Sequence, residues 1–467
     1  MLKIFNTKTG AKEEFKVSGN RVLMYVCGPT VYDLSHIGHA RSAVSFDAVY
    51  RYLKYAGYEV KFAKNYTDID DKIINRANKE GRTSEDVAAE FIKAYDEDMA
   101  SLGVELPSIR PKATETIEKI IEVIERLVEK GFAYVMDGDV YYSVRKFKEY
   151  GKLSGKNIED LEAGARVDVN ERKNDPLDFA LWKASKPNEP KWKSPWGEGR
   201  PGWHIECSAM CLEHLGETID IHGGGKDLVF PHHENEVAQS EAAIGKTFAR
   251  YWMHNGFVNI ESEKMSKSLG NILTIKEVLK RNTAESVRLF LLSSHYRSPI
   301  EYSADSLVEA EAKASRFYKT LERVETECPE AVKNIPDKKN ISAITGAMDD
   351  DFNTAAVVGE VFKEIADINR ALDSGKKDVM AIAASLGIIK EAGKILGTFD
   401  KTPAAYFGEL KAMAALPKEE IERLINERLE AKKNKDFKRA DAIRAELKEK
   451  GIMLEDTASG TVWTVKN

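Results

Sequence analysis

The stretch CGPTVYDLSHIGHAR, residues 27–41, follows a short apolar segment and precedes apolar residues at helical spacing that stop at Gly57. This pattern predicts a strand, a tight turn and a helix. His36 and His39 stand at the start of the predicted helix, where free backbone N–H groups and the helix dipole favour anions. Gly38 has no Cβ atom, so a phosphate or a flat ring can approach the backbone there. The turn suits a nucleoside triphosphate, although a plain capped turn explains two histidines equally well.

A second strand and helix follow directly. Residues 60–66 predict a strand, residues 67–71 open a helix, and further helices are predicted over about 84–101 and 114–130. Strands that alternate with helices are typical of a parallel sheet of the nucleotide-binding type. From there to about residue 202, short strand-like pieces alternate with polar loops, and we interpret them as an insertion between two halves of the sheet domain.

The second half of the chain resumes the sheet pattern and then becomes mostly helical. The elements predicted for it are a helix over 202–216, a strand that ends in a glycine turn at 223–225, a helix from Pro231 to about Gly245, helices over 305–325, 349–372 and 376–394, a linker over 397–417, and a last unit of two charged helices and two short strands.

Composition bounds the class of protein. The chain has 467 residues, 42% hydrophobic and 31% charged, which is typical of a soluble globular protein of about two to four domains. No run of about 18 apolar residues occurs, so no membrane span is expected. The N-terminal segment lacks the apolar stretch of a secretion signal. Four cysteines without regular spacing predict reduced thiols and a cytoplasmic location. The net charge of -6 means that a polyanionic partner must be attracted by local basic patches.

Thiol, imidazole and carboxylate side chains stand where the carboxyl edge of a parallel sheet can bring them together. Cys27 ends the first strand, Cys207 lies on a predicted helix, and His232 and Glu236 are four residues apart, so they share one helix face. Two thiolates, one imidazole and one carboxylate suit Zn²⁺. Spacing alone also allows packing cysteines and a solvated helix face. It leaves rival ligands, which are Cys211, His233 and Glu234.

Two ordered motifs extend this pattern. Residues 36–39 read HIGH and residues 264–268 read KMSKS, which are the two signatures of class I aminoacyl-tRNA synthetases. With Cys27 just before the first motif, and Cys207 and the segment PHHENE between the two, the chain resembles the cysteinyl-tRNA synthetase family. The resemblance extends over nearly the whole chain.

The resemblance implies a cysteine–tRNA ligase, which activates L-cysteine with ATP to cysteinyl-adenylate and pyrophosphate. It then transfers the cysteinyl group to the 3′ end of tRNA(Cys). One Zn²⁺ per chain is implied, with Mg²⁺ accompanying ATP, and the zinc selects the substrate thiolate against the hydroxyl of serine. The implied zinc ligands are Cys27, Cys207, His232 and Glu236. Cys211 and Cys328 have no counterpart role and are left as packing residues.

The resemblance also assigns the activating site. Phosphate charge is stabilised by catalytic residues, which are His36, His39, Lys264 and Lys267. ATP-binding residues are Gly38, Lys267 and Asp227, the last as an acceptor from ribose hydroxyls. The cysteine pocket is walled by Thr67, Trp203 and His222.

The last unit carries a dense basic segment and two aromatic residues, which are candidates for phosphate contacts and base stacking. Its expected tRNA-binding residues are Lys432, Phe437, Asp441, Asp456 and Trp463. On sequence alone, an amphipathic helix pair with aromatic residues in a small core is the simpler interpretation.

The implied fold class is α/β: a Rossmann-type parallel-sheet catalytic domain with an insertion, then a helical bundle and a small C-terminal anticodon-binding domain. The expected divisions are 1–113 with 203–250 for the catalytic domain, 114–202 for the connective insertion, 251–310 for the KMSKS-loop and stem-contact region, 311–400 for the bundle and 415–467 for the anticodon-binding domain. A monomer is expected.

Two alternative functions compete with this interpretation. An ATP-dependent ligase that transfers cysteine to a small-molecule amine would share the catalytic motifs, but it would not need the segment after about residue 311. A zinc-dependent RNA-binding protein without catalysis would not need intact HIGH and KMSKS motifs.

Lys267→Ala should slow adenylate formation by roughly 100-fold or more, because the lysine charge matters most as pyrophosphate departs. Cysteine binding and the fold should be largely kept. Single-turnover formation of cysteinyl-adenylate measures this, and an unchanged rate would remove Lys267 from the activating site.

Overall fold

An antiparallel pair of strands, β1 (Lys3–Asn6) and β2 (Ala11–Glu14), opens the chain and precedes the predicted parallel sheet. β3 (Arg21–Val26) consists mostly of apolar residues, and its last three positions are fully buried. Helix α1 (Ile37–Tyr55) follows after the turn and leads to β4 (Glu59–Lys64). The predicted strand, turn and helix are therefore confirmed.

The structure, a computed structural model, describes residues 1–158, 173–187, 189–260, 263–264, 273–336, 340–375, 377–457 and 460–465. Its contacts divide the chain into two units. The first unit comprises Met1–Val258, His295–Ile300 and Gly346–Thr354. The second unit comprises Asn259–Ser294, Glu301–Thr345 and Ala355–Asn467.

The first unit continues with helices and strands that alternate along the chain. They are α2 (Asp71–Glu80), α3 (Ser84–Ser101), α4 (Ile117–Glu129), β5 (Ala133–Met136), β6 (Asp139–Tyr142), β7 (Phe179–Ala184), β8 (Trp192–Ser194), β9 (Gly197–Pro201), α5 (Trp203–Leu215), β10 (Ile219–Gly225), α6 (Glu234–Ile244) and β11 (Ala249–Asn255).

Four parallel strands form the central sheet in the order β11-β10-β3-β4. α1 connects β3 to β4, its neighbour towards one edge of the sheet, and α6 connects β10 to β11, its neighbour towards the other edge. The two connections lead away from the β3–β10 pair, so this pair is the topological switch point of the sheet. The strands between α4 and α5 form a separate antiparallel sheet of five, β5-β6-β7-β9-β8.

The second unit is mainly helical. Its elements, with those at its junctions, are β12 (Val258–Ile260), β13 (Glu263–Lys264), α7 (Ile275–Leu279), α8 (Ala284–Leu292), β14 (Ile300–Tyr302), α9 (Ala304–Glu327), α10 (Pro329–Lys333), α11 (Ser342–Asp349), α12 (Thr354–Asp373), α13 (Val379–Leu396), α14 (Pro403–Ala412), α15 (Lys418–Lys433), α16 (Phe437–Glu449), β15 (Ile452–Thr457) and β16 (Gly460–Val465).

Three local predictions are wrong. The glycine triplet at 223–225 is not a turn but the end of β10, paired to β11. The expected linker contains α14, whose first turn is capped by the Thr402 side chain and carries Pro403. The helix predicted over 349–372 begins only with α12, because Asp351 and Phe352 have φ values of 65° and 51° and cannot continue a helix.

In the part of the chain that the structure describes, no helix is long and apolar enough to cross a membrane. The four cysteines are buried, and none forms a disulfide.

Trp463→Ala should destabilise the C-terminal helix pair and hairpin by about 3–5 kcal/mol, the usual cost of deleting a buried large aromatic side chain. Trp463 is 7% exposed and packs with core residues such as Ile421, Ile443 and Leu454. Chemical denaturation, followed by a probe in this region, measures the change. Phe437→Ala is the matched control: this side chain is 62% exposed, so little stability should be lost.

Candidate metal and activating site

The candidate site lies at the carboxyl edge of the central sheet, at the β3–β10 switch point. Cys27 directly follows β3, and its N–H donates to the carbonyl of Gly223 in β10 at 3.0 Å. A Cβ atom on Gly224 would lie 2.8 Å from the His233 ring, so this strand end admits only glycine in its present packing. The strand pairing therefore fixes where the first thiol stands.

Four donor atoms from three places in the chain meet here. Cys27 follows β3, Cys207 lies on α5, His232 precedes α6 and Glu236 lies in the first turn of α6. The Cys27 Sγ atom lies 3.7 Å from Cys207 Sγ, 3.6 Å from His232 Nε2 and 3.3 Å from Glu236 Oε1. His232 Nε2 is 3.1 Å from Glu236 Oε1. All four side chains are buried, and their donor atoms lie within 4.8 Å of one another.

Burial and proximity perturb the protonation of these groups. Burial raises the pKa of the Cys27 thiol. The hydrogen bond donated by Cys27 lowers the pKa of the Cys207 thiol to about 6. Burial opposes a charged His232, but the charges and hydrogen bonds of Glu236 and Cys207 together outweigh it and raise the histidine pKa to about 10. The Cys207 thiolate and the Glu236 carboxylate are thus balanced by a proton on His232, which a metal cation can displace.

Four further histidines surround the donors, and sequence reasoning missed two of them, His204 and His254. His204 Nδ1 lies 2.9 Å from His232 Nδ1, which orients the other nitrogen of His232 towards the cluster. His233 Nε2 lies 3.3 Å from Cys27 Sγ, and its Nδ1 is 2.8 Å from His254 Nε2. His222, predicted as a pocket wall, contacts Glu236 Oε2 at 2.8 Å. His222 and His233 form a second candidate metal group with Cys27 and Glu236. The only available signal was the number of histidines on neighbouring elements.

The HIGH residues form the start of α1. The backbone N–H of Gly38 donates to His36 Nδ1 at 3.1 Å, and the N–H of His36 donates to His39 Nδ1 at 3.2 Å. The two rings stack with their centroids 3.9 Å apart. The histidines thus cap the helix reciprocally, and they remain at the N-terminal end where an anion is favoured.

Of the other residues predicted for the cysteine pocket and the nucleotide, Trp203 contacts the donor cluster directly. Trp203 stacks on His232 with ring centroids 4.4 Å apart and is 38% exposed. Thr67 is buried and receives a hydrogen bond from Asn65 Nδ2 at 3.3 Å. Asn65, which sequence analysis did not single out, also accepts from the Gly28 N–H at 2.8 Å. Asp227 is exposed beside Gly225, just past the end of β10.

The second signature motif lies mostly outside the described residues. Lys264 falls in β13, where its backbone pairs with Asn259. Lys267 is among the residues that the structure does not describe.

The C-terminal residues predicted to contact tRNA are placed differently from one another. Phe437 and Asp441 are exposed on α16. Asp456 accepts from Arg428 at 2.8 and 2.9 Å and from Lys432 at 2.8 Å. Trp463 belongs to the core of this small unit, so its position favours packing over base stacking.

Three protein families match the chain along its length. Residues 14–312 match "tRNA synthetases class I (C) catalytic domain", residues 343–400 match "DALR domain", and residues 416–463 match "Cysteinyl-tRNA ligase anticodon binding domain".

Curated relatives match over the full length. The chain is 56% identical over 484 residues to "Cysteine--tRNA ligase" of Geobacter sulfurreducens and 54% identical over 488 residues to that of Thermodesulfovibrio yellowstonii, covering 100% of both chains in each case.

Solved structures share the fold at low identity. Mycobacterium tuberculosis methionyl-tRNA synthetase in complex with methionyl-adenylate matches with a TM-score of 0.59 and 16% identity, over 81% of this chain and 90% of that one. A ternary LeuRS–tRNA–LeuAMS complex from Agrobacterium radiobacter matches with a TM-score of 0.58 and 13% identity, over 86% of both chains.

The parallel sheet, its switch-point site and these matches define a class I aminoacyl-tRNA synthetase. Within that class, the chain belongs to the cysteine–tRNA ligase family.

Proposed function

We propose that the protein activates L-cysteine with ATP at the switch-point site and then transfers the cysteinyl group to the 3′ end of tRNA(Cys). One observation carries this proposal. The buried donor cluster, which suits a thiol substrate, lies at the same edge of the sheet from which the chain continues into α1. The expected domain divisions, the monomeric state and the cytoplasmic location stay predictions.

The donor cluster fits zinc. In a tetrahedral zinc site with bonds of about 2.0–2.3 Å, ligand atoms are roughly 3.3–3.8 Å apart. The Sγ, Nε2 and Oε1 separations around Cys27 lie between 3.3 and 3.7 Å. We assign the ion to Cys27, Cys207, His232 and Glu236. When bound, zinc would favour the cysteine thiol over the serine hydroxyl, because the thiol ionises more readily and sulfur is the softer ligand.

The side chains around this cluster orient the substrate and the ligands. His204 holds the His232 ring in place, and His222 holds the Glu236 carboxylate. The partly exposed face of Trp203 provides an apolar wall beside the donors, and we assign the buried Thr67 to the same pocket. This arrangement positions a small amino acid and excludes water from its side chain.

The activation step needs negative charge on the α-phosphate to be stabilised. The capped first turn of α1 presents its N-terminal end, with His36 and His39, to the anion. Lys264 and Lys267 neutralise the departing pyrophosphate, Mg²⁺ accompanies ATP, and Gly38 and Asp227 contact the nucleotide. The carboxylate of cysteine attacks the α-phosphorus, and the adenylate is then consumed by the terminal ribose hydroxyl of tRNA.

The second unit offers local positive charge for tRNA, as the overall charge of -6 requires. A groove of about 770 Å³ between α9 and α12 is lined by four cationic side chains, Arg316, Lys319, Arg323 and Arg370, and by one acidic side chain, Asp373. Arg323 is held by Asp373 at 2.7 Å. Arg316 and Lys319 are exposed, and neither forms an ion pair with another residue in the described ranges. Both cations are therefore available to phosphates.

The proposed activity is tested by cysteine-dependent exchange of pyrophosphate into ATP, followed by charging of tRNA(Cys). Both should occur, because the chain has an activating site and RNA-binding units. Exchange without transfer to tRNA would favour a ligase that acts on a small amine, and absence of exchange would refute the proposal.

Zinc content tests the metal assignment. The purified protein should hold one zinc per chain, and Cys207→Ala should hold far less, because one of four ligands is lost. Cys211→Ala is the control, since this buried thiol lies one turn further along α5 and is outside both candidate metal groups. With Co²⁺ substituted, a sulfur-to-metal band should grow on addition of cysteine but not serine. A spectrum indifferent to cysteine, in an active and selective protein, would make the ion structural.

Charge reversal tests the groove. The double variant Arg316→Glu/Lys319→Glu should raise the KM for tRNA by about tenfold and make the slope of log affinity against log salt about two units shallower, one per lost phosphate contact. Pyrophosphate exchange should be unchanged. Lys390→Glu on α13, an exposed lysine outside the groove, is the matched control. Equal effects of both variants would exclude a specific contact at the groove.

A further inference from the structure

We propose that Asp351 is a positioning residue for adenylate formation, which acts through Arg41 on the first turns of α1. This inference deepens the proposed function and rests on it. The chain of contacts runs from the Asp351 carboxylate to the segment 295–298, from the carbonyls of that segment to Arg41, and from Arg41 to the helix start that carries His36 and His39.

Arg41 connects α1 to a loop that is distant in sequence. It stands two residues after His39 and is buried. Its Nη2 donates to the carbonyl of His295 at 2.7 Å and to that of Ser298 at 3.3 Å. A buried guanidinium holds its helix in one place only if the carbonyls that receive it are themselves fixed. The position of the HIGH turn therefore depends on the loop 295–298.

Asp351 fixes that loop with both oxygens of one carboxylate. Tyr296 Oη donates to Asp351 Oδ1 at 2.9 Å, and Arg297 Nε donates to Asp351 Oδ2 at 2.7 Å. Asp351 is 0% exposed, so these charge-assisted bonds act without competition from water. The two residues that it grips lie between the two carbonyls that receive Arg41.

The backbone of Asp351 is held in an unfavourable conformation. Asp351 and Phe352 both have positive φ values, and neither is glycine. The Asp351 N–H donates to the carbonyl of Lys3 at 3.0 Å, and Oδ1 also accepts from the Phe5 N–H at 2.8 Å. Contacts with β1 thus compensate for the strain and aim the carboxylate at the loop.

The same short segment contains a natural control. Asp349 accepts from Tyr52 Oη at 2.7 Å, near the opposite end of α1, and from the N-terminal amine at 2.9 Å. Asp349 and Asp351 therefore attach the same segment to the same unit, but only Asp351 is linked to the loop that receives Arg41. If a substitution acts only by detaching the segment, changes at Asp349 and at Asp351 should lower kcat alike. If Asp351 positions the loop, only a change at Asp351 should lower kcat.

The experiment compares Asp351→Asn with Asp349→Asn in the full-length protein, with kcat and KM from pyrophosphate exchange and with unfolding by urea. Asp351→Asn should lower kcat by about tenfold or more, because misplacing charge-stabilising groups by a fraction of an ångström is costly. Its KM for cysteine should stay within about twofold, since the donor cluster is untouched. Asp349→Asn should lose stability but keep kcat within about twofold.

A double-mutant cycle separates positioning from general weakening. Arg41→Lys and Asp351→Asn act through one chain of contacts, so their combined loss in kcat should be clearly smaller than the product of the single losses. If Asp351→Asn fails to fold, Tyr296→Phe removes one hydrogen bond to Asp351 and should lower kcat by roughly threefold with KM for cysteine unchanged. Multiplicative losses, equal kcat losses in the two aspartate variants, or an unchanged kcat would overturn the proposal. A wild-type protein without exchange would instead refute the proposed function.

Discussion

The parallel pairing of β3 with β10 is the constraint on which the site depends. It joins strands that are almost 200 residues apart and brings Cys27, at the end of one, beside the glycine end of the other. α5 and α6 flank β10 in sequence, so Cys207 and Glu236 reach the same edge without any further long connection. A sheet whose two halves met in another order would leave the thiols on separate surfaces.

Burial gives this edge its chemistry. Two thiols, an imidazole and a carboxylate, all removed from water, cannot share one small volume without strong coupling between their protonation states. This coupling lowers the pKa of Cys207 and raises the pKa of His232. Neighbouring histidines hold the rings in place, so the orientation of the cluster does not rely on the donors alone.

Much of this arrangement could be predicted from sequence, for identifiable reasons. β3 and α1 have strong local patterns, and α3 has the bounds expected from its periodicity. The four candidate ligands were selected by resemblance, because spacing left rivals such as His233, and the structure indeed places His233 against Cys27.

The failures also have physical causes. The glycines of β10 resemble a turn because sequence does not reveal that Phe46 and His233 occupy the space of their side chains. The helix expected from residue 349 was wrong because the strained conformation at Asp351 is imposed by contacts with β1 and the loop 295–298. The contrast between buried Trp463 and exposed Phe437 likewise depends on tertiary packing, which no local pattern encodes.

The segment Gly346–Thr354 has a consequence for how the protein is made. It belongs to the first unit, and it bonds to β1 across a separation of 346 residues. At a synthesis rate of about 5–20 residues per second, the N-terminal strands wait on the order of tens of seconds for these partners to leave the ribosome. During that interval the strands of the first unit emerge and can pair, whereas the loop that receives Arg41 emerges near its end and stays unanchored until Asp351 follows. The first unit is thus completed late in translation, by a segment that is synthesised after nearly all of its other residues.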